Sequence, residues 1–313
     1  MPGELFLKEY KMYNIDRLFE SVAAKGHVCV GLDTAAEYIP SAERRRAGSD
    51  AEAVFAFNQA LIDSTIDVAA CYKVQNAYYE EMGIAGLSTY AKTLHYIREK
   101  GGIVIADIKR GDIADTALRY AKAHFAGEFE ADFVTLSPYM GMDSIEPWLT
   151  YAESNGKGAF VLMRTSNKGM RDFEYLEVSE KKRVYHVVGD KLAGLAAAHS
   201  GKCGYGAFGA VVGCTERDEA AEIRKQYSNL FFLIPGYGAQ GGAADDAALL
   251  LREGNGGVVN ASRSILKAWS EELKVSGGGG GADESAATIE FAAEAARRAT
   301  ITMRDAILAA AKK

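Results

Sequence analysis

Several common ingredients are scarce in this chain of 313 residues, and each shortage closes off a reading. Only 5 residues are proline, and no Pro- or Ser-rich linker divides the chain into separately folding parts. The four cysteines, Cys29, Cys71, Cys203 and Cys214, form no CxxC pair and no metal-ligand spacing with the five histidines. Three of them lie in or beside apolar runs, which points to buried free thiols in a reducing compartment and to no metal centre. No apolar run is long enough to span a bilayer. The opening MPGELFLKEYKMYN lacks the basic-then-apolar layout of a secretion signal, so a cytoplasmic protein with no membrane partner is expected. Positive charge is also short: 36 Lys and Arg against 42 Asp and Glu leave a net charge of −6. The densest basic runs, Arg44–Arg46 and Lys181–Arg183, each adjoin a glutamate, and no nucleic-acid partner is expected.

What is present is a rhythm. Short, nearly continuous apolar runs read as parallel strands covered on both faces: His27–Asp33, Val68–Val74, Gly102–Lys109, Asp132–Ser137, Gly158–Arg164, Gly209–Cys214, Leu230–Pro235 and Gly257–Ser262. Amphipathic segments alternate with them: Asp50–Ile66 behind a Ser49 or Asp50 cap, Ser88–Lys100, Ile113–Phe125, Ser144–Ser154, Ser179–Ala198, Glu216–Gln226, Ala243–Glu253 and Glu284–Lys313. The expected fold is α/β: one (β/α)8 TIM barrel domain over residues 1–313, with an extra N-terminal helix at Ile15–Ala24 and a long C-terminal helix. A doubly wound open sheet is disfavoured, because GLDTAAEYIP rather than GxGxxG follows the first strand. Thr165–Glu180 exceeds what the rhythm needs and could serve as a lid, and Ser276–Gly281 reads as a flexible connection.

Charges at the strand ends stand out against this apolar background. Asp107 and Lys109 in ADIKRGDIADT share parity, so both can face the C-terminal mouth, where barrel active sites sit. Lys73 ends the second strand and Asp33 the first, while Asp112 adds a carboxylate just past the third. Neighbouring strands lie about 4.8 Å apart, so these side chains can form a row of alternating sign that keeps its members ionised. Buried ion pairs are a poor source of stability compared with apolar packing, and a row of four favours a functional reading. No histidine falls at a strand C-terminus; the available acid is a lysine held cationic by aspartates.

A second constellation follows the last two strands. PGYGAQGG, which includes Gln240, Gly241 and Gly242, precedes a helix, and ASRS carries Arg263. Phosphate sites in this barrel are frequently built from those two loops. Glycines let the backbone approach an anion and offer bare N–H groups, and an arginine supplies a bidentate clamp.

Taken together, these residues resemble the orotidine 5′-phosphate decarboxylase family, particularly its longer bacterial-type branch. DIKRGDIADT is similar to the family's D-x-K-x-x-D-I-x-x-T signature. GLD, YKVQNAYYE, RTSNKG, PGYGAQGG and SRS fall in the family's order over roughly residues 15–270. The resemblance implies conversion of orotidine 5′-monophosphate to uridine 5′-monophosphate and CO2 without a cofactor. On that resemblance Lys109 delivers a proton to C6, Asp107 faces the departing carboxylate, and Lys73 bonds to Asp107. Asp33 matches a ribose-hydroxyl ligand, Ser166 a hydroxyl near the pyrimidine, Gln240 a bridge between ring and phosphate, and Arg263 the phosphate arginine. Asp112 and Thr116 match residues inserted into a neighbouring subunit, which implies a homodimer with shared active sites. Gln75 could approach the ribose or phosphate. Asn167-Lys168 departs from the His-Pro of some relatives, and Tyr237 occupies a variable position. The alternatives are a Mg²⁺-dependent lyase resembling 3-keto-L-gulonate 6-phosphate decarboxylase, which needs further strand-end carboxylates, and a non-catalytic nucleotide-phosphate sensor.

Overall fold

The computed structural model describes residues 13–238, 241–276 and 287–312. Eight parallel strands close into a barrel: β1 (Val28–Leu32), β2 (Cys71–Gln75), β3 (Val104–Arg110), β4 (Phe133–Leu136), β5 (Gly158–Arg164), β6 (Phe208–Val212), β7 (Phe232–Ile234) and β8 (Gly257–Ala261). Each strand pairs with its neighbours in chain order, and β8 returns to β1 in the register Val28↔Val259. All eight expected strands are members of this ring.

The barrel's interior is stratified because side chains alternate along each strand. Its lower layers are apolar, with Cys29, Cys71, Ile105, Phe133, Phe160, Phe231 and Val258 in one buried cluster. Glycine makes room for the large rings: a Cβ on Gly209 would stand 3.0 Å from the Phe160 ring and 2.2 Å from the Phe231 carbonyl. Alternating large and small residues in this way fill the taper without strain. Helix α1 (Asn14–Lys25) seals the bottom, adding Ile15, Leu18 and Val22 to the same cluster. Its first turn is tied to the rest of the chain, since Asp16 accepts from the Tyr13 and Cys203 amides at 3.1 and 2.9 Å.

The outer layer consists of α2 (Asp50–Thr65), α3 (Gly83–Glu99), α4 (Ala114–Ala126), α5 (Leu149–Asn155), α6 (Val184–Ala198), α7 (Arg217–Gln226), α8 (Ala244–Ala248), α9 (Arg263–Leu266), α10 (Ala268–Ser276) and α11 (Ile289–Ala310). The Ser49 hydroxyl caps α2 by accepting from the Glu52 amide, and Thr288 caps α11 in the same way through Phe291. Several boundaries differ from the sequence expectations, for local reasons. Residues 177–183 form a two-stranded antiparallel ribbon around Lys181 at φ +58°, so α6 starts at Val184 rather than at Ser179. The amides of Val68 and Ala69 bond back to the Thr65 carbonyl, which delays β2 to Cys71. Most of the expected flexible connection lies outside the described residues.

Candidate active site

Inward parity places charged and polar side chains in the uppermost layer, on one side of the barrel. Lys73 on β2 donates to Asp107 Oδ2 on β3 at 2.8 Å and to Asp33 Oδ1, just past β1, at 3.0 Å. Lys109 completes the row, its ammonium 2.7 Å from Asp107 Oδ1. The expected alternation Asp33, Lys73, Asp107, Lys109 is therefore present. Asp112 does not join it; its carboxylate accepts from the Ile113 amide at 2.9 Å and makes no ion pair among the described residues.

Asp107 is the hub. Besides the two lysines it accepts from Gln75 Nε2 at 2.9 Å and from the Thr135 hydroxyl at 2.8 Å, so each oxygen receives two hydrogen bonds. Burial opposes charge on Asp107, but Lys73 and Lys109 outweigh it and hold the carboxyl well below the usual carboxylate range. Burial likewise opposes the Lys73 ammonium, and Asp107 and Asp33 overcome it, raising that lysine above its ordinary value. Lys73 is buried; the side chain of Lys109 is 48 % exposed, open to the mouth. Gln75, expected to approach the ribose or phosphate, donates to this hub.

Lys109 reaches the mouth through a backbone irregularity. Between Ala106 and Arg110 the β3–β4 register slips, so that Val134 and Leu136 face residues four apart on β3. Lys109 lies inside the slip with φ +43°, a left-handed conformation disfavoured for a side-chain-bearing residue.

Two adjoining cavities open above this layer. One is bordered by Lys73, Asp107, Lys109 and Thr135 on its charged side and by Leu162, Val211 and Leu233 opposite. The other holds Arg263 with Asp33, Tyr38, Tyr78 and Tyr237. Asn260, on β8, borders both. Asn260 Oδ1 and Ser262 Oγ are buried and lack a hydrogen-bond partner among the described residues. They lie over Gly31, where a Cβ would come within 2.0 Å of Ser262 Oγ.

Other expected residues are placed differently. Ser166 borders a separate pocket with Asn167, Thr215 and Glu216, although its Cβ lies 3.2 Å from where a Cβ on Gly236 would stand. The glycine loop closes on itself: the Gly238, Gly241 and Gly242 amides donate to the carbonyls of Gly242, Gly238 and Gly236. The bare N–H groups expected from Gly241 and Gly242 are thus already engaged. Gln240 lies outside the described residues. Thr116 is exposed on α4, near Ile113 and Leu118, which expose 44 % and 39 % of their surface. Sequence reasoning missed Thr135 and Asn260, although a polar residue at inward parity within FVTL and GVVNA is a visible signal. Among the described residues, no group of three or more His, Cys, Asp or Glu could hold a metal ion. No helix there is long and apolar enough to cross a membrane.

Comparison with known proteins yields consistent matches. The model of the "Orotidine 5'-phosphate decarboxylase / HUMPS family" matches residues 26–275. The orotidine 5′-phosphate decarboxylase of Clostridium kluyveri is 56% identical over 258 residues, covering 82% of this chain and 89% of that protein. The enzyme of the same name from Clostridium perfringens (strain SM101 / Type A) is 54% identical over 294 residues, covering 93% and 97%. Among solved structures, the OMP decarboxylase of Leishmania donovani superposes with a TM-score of 0.69 at 30% identity, covering 94% of this chain and 100% of that one.

Proposed function

The chain belongs to the orotidine 5′-phosphate decarboxylase / HUMPS family and decarboxylates orotidine 5′-monophosphate in pyrimidine biosynthesis, and on that premise we propose how its own residues carry out the step. The C6–carboxylate bond breaks, CO2 leaves, and the electron pair stays on C6 with no neighbouring π-system placed to spread it. Lys109 stabilises that carbanion as a fixed cation and then gives it a proton, leaving a neutral amine that water reprotonates. The row of alternating charge carries this reading: an ammonium 2.7 Å from a carboxylate that is itself held ionised, at the open end of a barrel. A group pre-oriented in this manner needs little reorganisation as charge develops. Asp107 lies beside the substrate carboxylate, and its four donors keep it from turning away or taking up a proton.

Arg263 grips the phosphate. It borders the outer cavity and makes no ion pair among the described residues, so its fork is available to an anion. Asp33 takes a ribose hydroxyl from the same cavity wall, Ser166 closes over the ring, Gln240 contacts ring and phosphate, and Gly241 and Gly242 shape the turn that precedes α8. Phosphate binding far from C6 supplies energy for that closure. Asp112 and Thr116 serve a second copy of the chain in a homodimer, a reading supported by exposed Ile113, Leu118, Tyr139 and Met140 on the β3 and β4 side of the mouth. Sedimentation equilibrium giving a monomer at micromolar concentration would remove that part. Four free cysteines support a reducing, cytoplasmic setting. A closed barrel with α11 packed on α2 supports a single domain spanning the chain.

The test follows pyrimidine absorbance while the protein turns over orotidine 5′-monophosphate in chelator. Wild type is expected to stay active, and Lys109→Ala to stop releasing CO2 while still binding uridine 5′-monophosphate. Decarboxylation by Lys109→Ala at the wild-type rate would remove Lys109 from its role, and loss of wild-type turnover in chelator would favour the Mg²⁺-dependent lyase.

A further inference from the structure

Thr135 occupies a position that the reaction scheme above leaves unexplained. It is 1 % exposed, sits on β4 at inward parity, and borders the cavity that Lys109 faces. Its hydroxyl donates to Asp107 Oδ1 at 2.8 Å and accepts from the Lys109 amide at 3.0 Å. The direction is fixed by chemistry, because an ionised carboxylate only accepts and a backbone N–H only donates. Lys109 Nζ in turn donates to that same Asp107 oxygen at 2.7 Å. The three residues therefore close a ring: Lys109 amide, Thr135 hydroxyl, Asp107 carboxylate, Lys109 ammonium.

The ring lies on the β3 irregularity. The register slip between Ala106 and Arg110 takes the Lys109 amide out of the ordinary ladder, and its φ of +43° needs support from its surroundings. A β4 hydroxyl supplies the acceptor that the slipped strand lost. We propose that Thr135 is a positioning residue for the decarboxylation, holding both the backbone bulge that presents Lys109 and the carboxylate beside it. The proposal rests on the reading of Lys109 as proton donor and Asp107 as its neighbour.

Thr135→Val keeps the shape and removes the hydroxyl, so the Lys109 amide loses its acceptor and Asp107 one of its four donors. Small misplacements of reacting groups can cost about 10²-fold in rate, and kcat is expected to fall by about that factor. Affinity for uridine 5′-monophosphate is expected to stay within about threefold, since the phosphate and ribose contacts lie elsewhere in the mouth. Thr135→Ser restores the hydroxyl and is expected to recover most of kcat. Wild-type kcat in Thr135→Val, a parallel loss of kcat and product affinity, or a serine variant as slow as the valine one would each overturn the proposal. If Thr135→Val does not fold, Thr135→Ser is compared with Thr135→Ala, and equal kcat in those two overturns it. Lys109→Ala is assayed alongside. An active Lys109→Ala removes the underlying reading, whereas an inactive one beside a fully active Thr135→Val removes Thr135 alone.

Discussion

Lys73 and Lys109 both touch Asp107, yet replacing each by methionine should have different consequences. Lys73 is buried between two carboxylates at 2.8 and 3.0 Å. At an effective dielectric of about 20 each contact is worth about 6 kcal/mol of Coulomb attraction, most of which the cost of desolvating the ammonium offsets. Removing one partner of a buried ion pair costs about 3–5 kcal/mol, because the other charge remains buried. Here Asp107 keeps Lys109, Gln75 and Thr135, and Asp33 is 24 % exposed and can turn to water, so Lys73→Met should lie at the low end, about 3 kcal/mol. With about 2.1 cal/mol/K of unfolding entropy per residue, that loss lowers the melting temperature by about 5 °C. Lys109, half exposed, contributes about 1 kcal/mol or less, so Lys109→Met should melt within about 2 °C of wild type while releasing no CO2. Acid should narrow the Lys73→Met deficit. Without that ammonium, folded Asp107 titrates at a higher pH than in wild type, so over that interval the variant takes up a proton that folded wild type does not. Fluorescence of the buried Trp148 and Trp269 reports the transitions. Equal melting temperatures for the two variants, or a Lys73→Met deficit that widens in acid, would refute the reasoning.

Arg263→Ala should weaken uridine 5′-monophosphate far more than uridine, by about 10–100-fold for a lost charge-assisted contact; calorimetric titration of both ligands checks this, and equal weakening counts against the grip. Burial lowers the His124 imidazole to about 4, against about 6.5 in an unfolded chain. Between those values the unfolded chain binds a proton that the folded one refuses, so stability falls as pH drops, by about 2 kcal/mol from pH 7 to pH 5. In His124→Phe the loss between these two pH values, measured by urea unfolding, should shrink by that amount; an unchanged loss would assign the acid sensitivity elsewhere.

The barrel was legible because parallel strands covered on both faces carry continuous apolar runs, and none of the eight was misassigned. Helix starts were less legible. Periodicity carries no sign of the 177–183 ribbon, and the expected helix at Ala243–Glu253 holds helical geometry only over Ala244–Ala248. At the site, parity along β3 brought Asp107 and Lys109 to one face, and strand adjacency supplied Lys73 and Asp33. The register slip that turns Lys109 was not legible, because it is a property of β3 and β4 together. The glycine loop shows a similar limit: composition reveals a tight turn, but not that its amides are satisfied internally.

The pairing of β1 with β8 also bears on how the protein is made. Val28 meets Val259, and Ser64 and Asp67 at the end of α2 bond to Ala293 and Arg297 of α11. A ribosome adding about 5–20 residues per second needs roughly 10–50 s between these two strands. Throughout that interval one edge of the fully apolar segment VCVGL has no mate. Closure is therefore a late event, and the nascent polypeptide carries an adhesive border that chaperones or transient local contacts must shield until β8 is synthesised.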